Sequence, residues 1–171
     1  MRLNHMINLK SISTFLLLFV FVSCQGQNGP AKGGIRWMSF EEAVKASDAN
    51  PKKIFIDVYT DWCGWCKRMD AGTFSDSTVI AYMNANYYAV KLNAETRDTI
   101  RFRENSFVYK PEFKANEIAL SLLNGKMGYP SFVILDERFA IMRTLSGYQQ
   151  VDELLGSLQE LNAMKPTEQK N

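Results

Sequence analysis

The chain has 171 residues, with 20 Lys and Arg, 18 Asp and Glu, 46% hydrophobic residues, three cysteines and one histidine. That length suits one domain, and the near-balance of charge offers no basic excess for nucleic acid or an acidic surface. The one histidine, His5, lies in an N-terminal segment predicted below to be removed, which excludes Cys–His nucleophilic catalysis and the histidine-containing zinc sites.

Arg2 and Lys10 give a positive start with no acid before Cys24, and Ile12 to Val22 is an apolar run of 11 residues. Such a run is too short to span a bilayer comfortably, so residues 1–23 are predicted to be a cleaved secretory signal rather than a transmembrane anchor. Removing them takes two bases and no acids, leaving 18 of each. Phe21-Val22-Ser23-Cys24 resembles a bacterial lipobox, in which lipid is attached to the cysteine that becomes the new N-terminus. Small Ser23 fits that pattern, whereas Phe21 stands where Leu is usual. The alternative is an ordinary cleaved signal with a spare cysteine nearby. Residues 24–38, rich in Gly, Gln and Asn, are predicted to be a flexible tether holding a domain off a membrane.

The domain is predicted over 39–163. Ser39 and Glu42 form a capping-box pattern ahead of Phe40, Ala43 and Val44, giving a short helix that Asn50-Pro51 ends. Lys53 to Tyr59 is a strand with almost no alternation, hence central with both faces covered. A helix starts near Cys63 and runs to about Ala71, with Gly72 ending it. Ser75 to Asn84 reads as a turn or short helix, and Tyr87 to Leu92 as a second strand. Glu95 to Lys110 is charged and reads as partly helical. Ala115, Ile118, Ala119, Leu122 and Leu123 recur at helical spacing until Asn124-Gly125. Ser131 to Leu135 and Phe139 to Leu145 read as strands joined by a turn, and so as a hairpin. The last helix carries Val151, Leu154, Leu155, Leu158 and Leu161 on one stripe, and a polar tail, 164–171, frays. The order α-β-α-β-α-β-β-α implies a mixed sheet sandwiched by helices, an α/β fold.

The chemistry concentrates in Trp62-Cys63-Gly64-Trp65-Cys66-Lys67, at the junction of a strand and a helix. The thiolate is the attacking species, and a helix N-terminus stabilises it through unpaired N–H groups and the helix dipole. The second thiol sits one turn away. A disulfide closing four residues gains little entropy, so a structural staple explains the pair poorly. Lys67 after Cys66 rules out the C-x-x-C-H haem attachment motif. Asp57 lies in the middle of the apolar strand; a carboxylate there must be protonated, paired or wet.

These residues resemble the thioredoxin-fold family over roughly 39–161. Trp62 to Lys67 is similar to its W-C-G-x-C-K motif, Asp57 stands six residues before Cys63 like its buried acid, Lys91-Leu92-Asn93 resembles its K-x-N/D segment, and Tyr129-Pro130 resembles its cis-proline loop. Ser146-Gly147 before the last helix agrees too. The resemblance implies that Cys63 is the nucleophile, that Cys66 is the more buried resolving thiol paired with it as a disulfide, and that Asp57 relays a proton for Cys66 with Lys91 beside it. It implies that cis-Pro130 packs on the disulfide, adding no competing N–H donor, and that the Tyr129 backbone pairs with an extended substrate. Trp62, Gly64, Trp65, Tyr129 and Pro130 then form the substrate-binding surface, with the aromatics as a rim around Cys63. Plainer readings stay open: Asp57 at a solvated edge, Lys91 as a surface lysine, Pro130 as a trans proline starting a strand, and Trp62 as partly core.

Trp65 replaces the proline of the commonest thioredoxin pair, and Trp-Cys-x-Trp-Cys is similar to secreted thioredoxin-like proteins and to the periplasmic C-terminal domain of transmembrane thiol:disulfide interchange proteins. Tyr129 is bulkier than usual before the cis-proline, and residues 95–127 exceed the family's linking helix, implying an inserted helical element that shapes partner choice. The implied function is an extracytoplasmic thiol–disulfide oxidoreductase with no cofactor and no metal. Asp57 and Lys91 favour a reductase or isomerase, while an oxidising direction depends on potential and compartment. Implied partners are protein thiols and disulfides, a redox partner, and a membrane through lipidated Cys24 on the periplasmic face. Two readings of other classes remain: a Cu(I)-handling C-x-x-C protein, against which Met69, Met83, Met127 and Met142 are scattered rather than clustered, and a thioredoxin-fold binding or chaperone module.

Overall fold

The computed structural model describes residues 33–164. The signal segment, Cys24 and the C-terminal tail beyond Met164 lie outside the described residues.

The central strands, Lys53–Tyr59 and Ser131–Leu135, are apolar and buried along nearly their whole length, and helices with buried apolar residues pack over them. β1 (Trp37–Met38) leads into α1 (Phe40–Ala49), whose capping box is formed as expected: Glu42 N–H donates to Ser39 Oγ at 3.1 Å and Ser39 N–H to Glu42 Oε2 at 2.8 Å. β2 (Lys53–Tyr59) is followed by α2 (Gly64–Ala71), a short 3-10 turn (Thr73–Ser75), α3 (Ser77–Asn86) and β3 (Tyr87–Asn93). Then come β4 (Ile100–Phe102), β5 (Asn105–Phe107), β6 (Tyr109–Lys110), β7 (Ala115–Asn116) and α4 (Glu117–Leu122). β8 (Ser131–Leu135), β9 (Ile141–Ser146) and α5 (Val151–Ala163) complete the order.

Five strands form one mixed sheet in the order β1-β3-β2-β8-β9. β3 runs parallel to both β1 and β2, while β8 is antiparallel to β2 and to β9. Strand side chains alternate between faces, and here both faces are covered. Phe55, Phe132 and Ile134 pack with Met69, Phe74, Val79, Met83, Leu154 and Leu158 from the α2, α3 and α5 side. Ile54, Ile56, Val58 and Val133 pack with Phe40, Ala43, Ile118 and Leu123 from the α1 and α4 side. Each large apolar side chain so buried contributes about 1.5–3 kcal/mol before entropy is counted. This is the thioredoxin fold, a mixed five-stranded sheet flanked by helices, as the motif order implied.

The insertion differs from the expectation. Glu95 to Lys110 is not partly helical: it holds the antiparallel pair β4–β5 and the start of a second pair, β6–β7. α4 alone carries the expected helical character. Buried Asn116 ties the insertion together. Its Nδ2 donates to the carbonyls of Thr96 at 3.2 Å and Asp98 at 3.0 Å, and its Oδ1 accepts from Ile118 N–H at 3.2 Å as the N-cap of α4.

Candidate active site

The site lies where β2 ends and α2 begins. Cys63 and Cys66 are joined as a disulfide, with Cα atoms 5.3 Å apart. Cys63 is the N-cap of α2, and its Sγ accepts from Cys66 N–H at 3.0 Å. That N–H is one of the donors a helix leaves unsatisfied in its first turn, so the sulfur of Cys63 occupies the position where a negative charge is best stabilised. Both cysteines are buried, Cys63 at 4% exposure and Cys66 at 2%. Gly64 between them is exposed.

Beneath α2, Asp57 is 1% exposed, which removes the solvated-edge alternative. It pairs in register with Lys91 on β3, and Lys91 Nζ donates to its Oδ2 at 2.6 Å. Its other oxygen, Oδ1, is buried and has no hydrogen-bond partner among the described residues. Burial pushes the Asp57 carboxyl up to about 6, against the downward pull of Lys91. Lys91 is not a plain surface lysine. Its ammonium also donates to Asp70 of α2 and lies 4.9 Å from the Trp37 ring centroid and 5.2 Å from that of Tyr59. Burial lowers the Lys91 value, and the two carboxylates more than reverse that, leaving it raised. Sequence reasoning missed Asp70. The available signal was its position, four residues after Cys66 and so on the same helix face.

Pro130 follows a cis peptide bond, so the trans alternative is removed. Its carbonyl accepts from Gly147 N–H at 2.8 Å, and Gly147 has φ +81°, a conformation that favours glycine. Among the described residues, no hydrogen bond engages the backbone N–H or C=O of Tyr129.

The aromatic rim consists of two pairs. Trp62 is 66% exposed, not partly core, and meets the Tyr129 ring edge-on with centroids 5.8 Å apart. Trp65, 55% exposed, lies instead against Tyr148, with centroids 5.8 Å apart. Tyr148 escaped sequence reading; it follows the Gly147 that binds the cis-proline loop. Among the described residues, no three His, Cys, Asp or Glu side chains converge to hold a metal, and no helix is long and apolar enough to cross a membrane.

Comparison with known proteins agrees with this arrangement. The family model described as Thioredox_DsbH, protein of unknown function, DUF255, matches residues 28–138. A thiol:disulfide interchange protein DsbD from Pseudoalteromonas atlantica is 31% identical over 100 residues, which cover 54% of this chain and 17% of that protein. An uncharacterized protein from Archaeoglobus fulgidus is 28% identical over 88 residues, covering 52% of this chain and 67% of that one. Among solved structures, a Thermus thermophilus thioredoxin aligns with TM-score 0.58 and 19% identity over 77% of this chain and 89% of its own. A DsbH oxidoreductase aligns with TM-score 0.54 and 17% identity over 78% of this chain and 88% of its own; likeness at these identities shows the fold alone. A Bacteroides thetaiotaomicron protein described as a candidate disulphide-isomerase aligns with TM-score 0.55 and 25% identity over 81% of this chain and 95% of its own. Because the family match spans more than half of the chain and falls across β2, the Cys63–Cys66 pair and the cis-proline loop, the chain belongs to the Thioredox_DsbH family of thioredoxin-fold proteins.

Proposed function

We propose that the protein is an extracytoplasmic thiol–disulfide oxidoreductase that reduces or isomerises protein disulfides through the Cys63–Cys66 couple. Cys63 thiolate attacks one sulfur of a substrate disulfide, forming a mixed disulfide and releasing one substrate thiolate. Cys66 then passes its proton to Asp57 and attacks the Cys63 sulfur, releasing the second substrate thiol. Two electrons leave the protein, which ends as the Cys63–Cys66 disulfide, and a dithiol partner must restore it.

The observation that carries this reading is the Cys66 N–H donated to Cys63 Sγ at the head of α2. It stabilises a thiolate on Cys63 and not on Cys66, which gives the two cysteines different tasks. Asp57, poised near neutrality, suits it to accept and return a proton. Lys91 keeps that carboxylate oriented. The exposed Trp62 and Trp65, with Gly64, Tyr129 and cis-Pro130, form the face that receives substrate, the Tyr129 backbone pairing with it as an added strand. The likeness to a thiol:disulfide interchange protein supports thiol–disulfide exchange as the chemistry. The lipobox-like Phe21 to Cys24 supports export with a lipid anchor at Cys24.

The test is mixed-disulfide trapping with Cys66→Ala in protein beginning at Gln25, alongside reduction of a model disulfide by the unmutated form. Covalent complexes through Cys63, with turnover that needs both cysteines, support the assignment. Folded protein with a reducible pair and neither result would overturn it. Radiolabelled-lipid incorporation into the full chain, abolished by Cys24→Ala, tests the anchor.

A further inference from the structure

The two tryptophans of the rim sit beside charges of opposite sign. Trp62 Nε1–H donates to Glu95 Oε1 at 3.1 Å, whereas the Arg68 guanidinium lies 5.2 Å from the Trp65 ring centroid, with Lys67 next to it on α2. Glu95 is held in place. Its N–H donates to Asn93 Oδ1 at 2.9 Å, and Asn93 Nδ2 donates to Asp61 Oδ2 at 3.1 Å. The Glu95 carboxylate therefore meets the Trp62 indole directly, and Asp61, the residue before Trp62, is tied to the same corner through Asn93; neither acid takes part in an ion pair among the described residues. The Glu95 charge reaches Tyr129, where, after burial, it helps to raise the phenol. Tyr129 packs on Trp62, and no hydrogen bond among the described residues engages its backbone.

We propose that this surface selects disulfide substrates of one polarity: polypeptides with an apolar residue beside the target cysteine and a basic side chain that meets Glu95 and Asp61 next to Trp62. The proposal rests on the exchange reading above. A strand pairing with Tyr129 passes Trp62, whose ring covers the apolar residue. The stem of a Lys or Arg packs on the indole while its charge reaches the two acids. Arg68 repels the same side chain from Trp65, so charge decides which way the strand lies. Rim charges of this kind act mainly on association and on the rejection of wrong partners.

Three symmetric peptide disulfides test it, each half carrying one cysteine preceded by Phe, with Lys, Gln or Glu before the Phe. Pre-reduced protein beginning at Gln25 is oxidised by each in a single turnover. Each rate is divided by that peptide's rate with dithiothreitol, which removes intrinsic reactivity. The Lys peptide is expected to react about tenfold faster than the Glu peptide at low salt. The ratio should fall toward one in 0.5 M salt and in Asp61→Asn/Glu95→Gln. Being internal to each protein, the ratio is not mimicked by a general loss of rate. Equal Lys and Glu rates, with all three peptides reacting, would overturn the polarity and leave disulfide exchange standing. A ratio unchanged in the double variant would overturn the assignment to these two acids. Reaction with no peptide, in folded and reduced protein, would overturn the exchange reading itself.

Discussion

Asp57 and Lys91 face each other across the parallel strands β2 and β3, in register, with Lys91 Nζ 2.6 Å from Asp57 Oδ2. A pair this close normally depresses a carboxyl. Here burial wins, and the carboxyl is pushed up to about 6. The pair is thus less a stabilising bridge than a group held at the edge of ionisation.

Stability should record this. A carboxyl whose folded value, about 6, exceeds its ordinary 3.8 binds its proton more tightly in the folded state. Its contribution is present in full below pH 4 and is lost as pH rises through about 6. Asp57→Asn carries no charge at any pH. Its stability relative to the unmutated protein should therefore rise between pH 4 and pH 7, by about 3 kcal/mol at roughly 1.4 kcal/mol per pH unit. Urea denaturation of the oxidised forms at pH 4, 5.5 and 7.5 measures the difference. A difference that stays constant, or shrinks as pH rises, would contradict the burial argument.

Lys91 and Asp70 should move the Asp57 titration in opposite directions. Lys91 pulls the carboxyl down, so Lys91→Met is expected to raise its midpoint above 6. Asp70 pushes it up more weakly, so Asp70→Asn should lower the midpoint by less than Lys91→Met raises it. Carbon-13 NMR of the Asp57 carboxyl, followed from pH 4 to pH 9, reads both shifts directly. Midpoints that move together would mean that the two residues act through structure rather than charge.

The centre of this site was legible because its residues announce themselves locally. The cysteines sit in one six-residue motif, the Asp57 carboxyl interrupts an apolar strand, and Ser131–Leu135 is bounded as read. What escaped depends on contacts distant in sequence. Asp70 gains meaning only from Lys91, 21 positions on, and Tyr148 only from Trp65. The insertion was misread for another reason. β4 and β5 have three residues each and β6 and β7 two, too short for a period of two to show. Their turns place Arg103 and Lys114 at φ +55° and +50°, positions where a glycine or asparagine would have signalled a hairpin.

The insertion's order should hang on Asn116, which is wholly buried. Its amide satisfies two carbonyls, of Thr96 and Asp98, and caps α4 through Ile118 N–H, so one side chain joins the approach to β4 with the start of the helix. Asn116→Ala removes a cap worth about 1 kcal/mol and leaves two carbonyls without their donor at about 1 kcal/mol each. A loss of about 2–3 kcal/mol in urea denaturation is therefore expected. Asn116→Asp keeps the cap acceptor and loses both donors, so it too should destabilise. Hydrogen exchange separates a local from a global effect. Amides of 95–123 should exchange faster in both variants while those of β2, buried on both faces, change only with the global stability. Uniform acceleration across β2 and the insertion would mean that Asn116 supports the whole core rather than the element that brings Glu95 to Trp62.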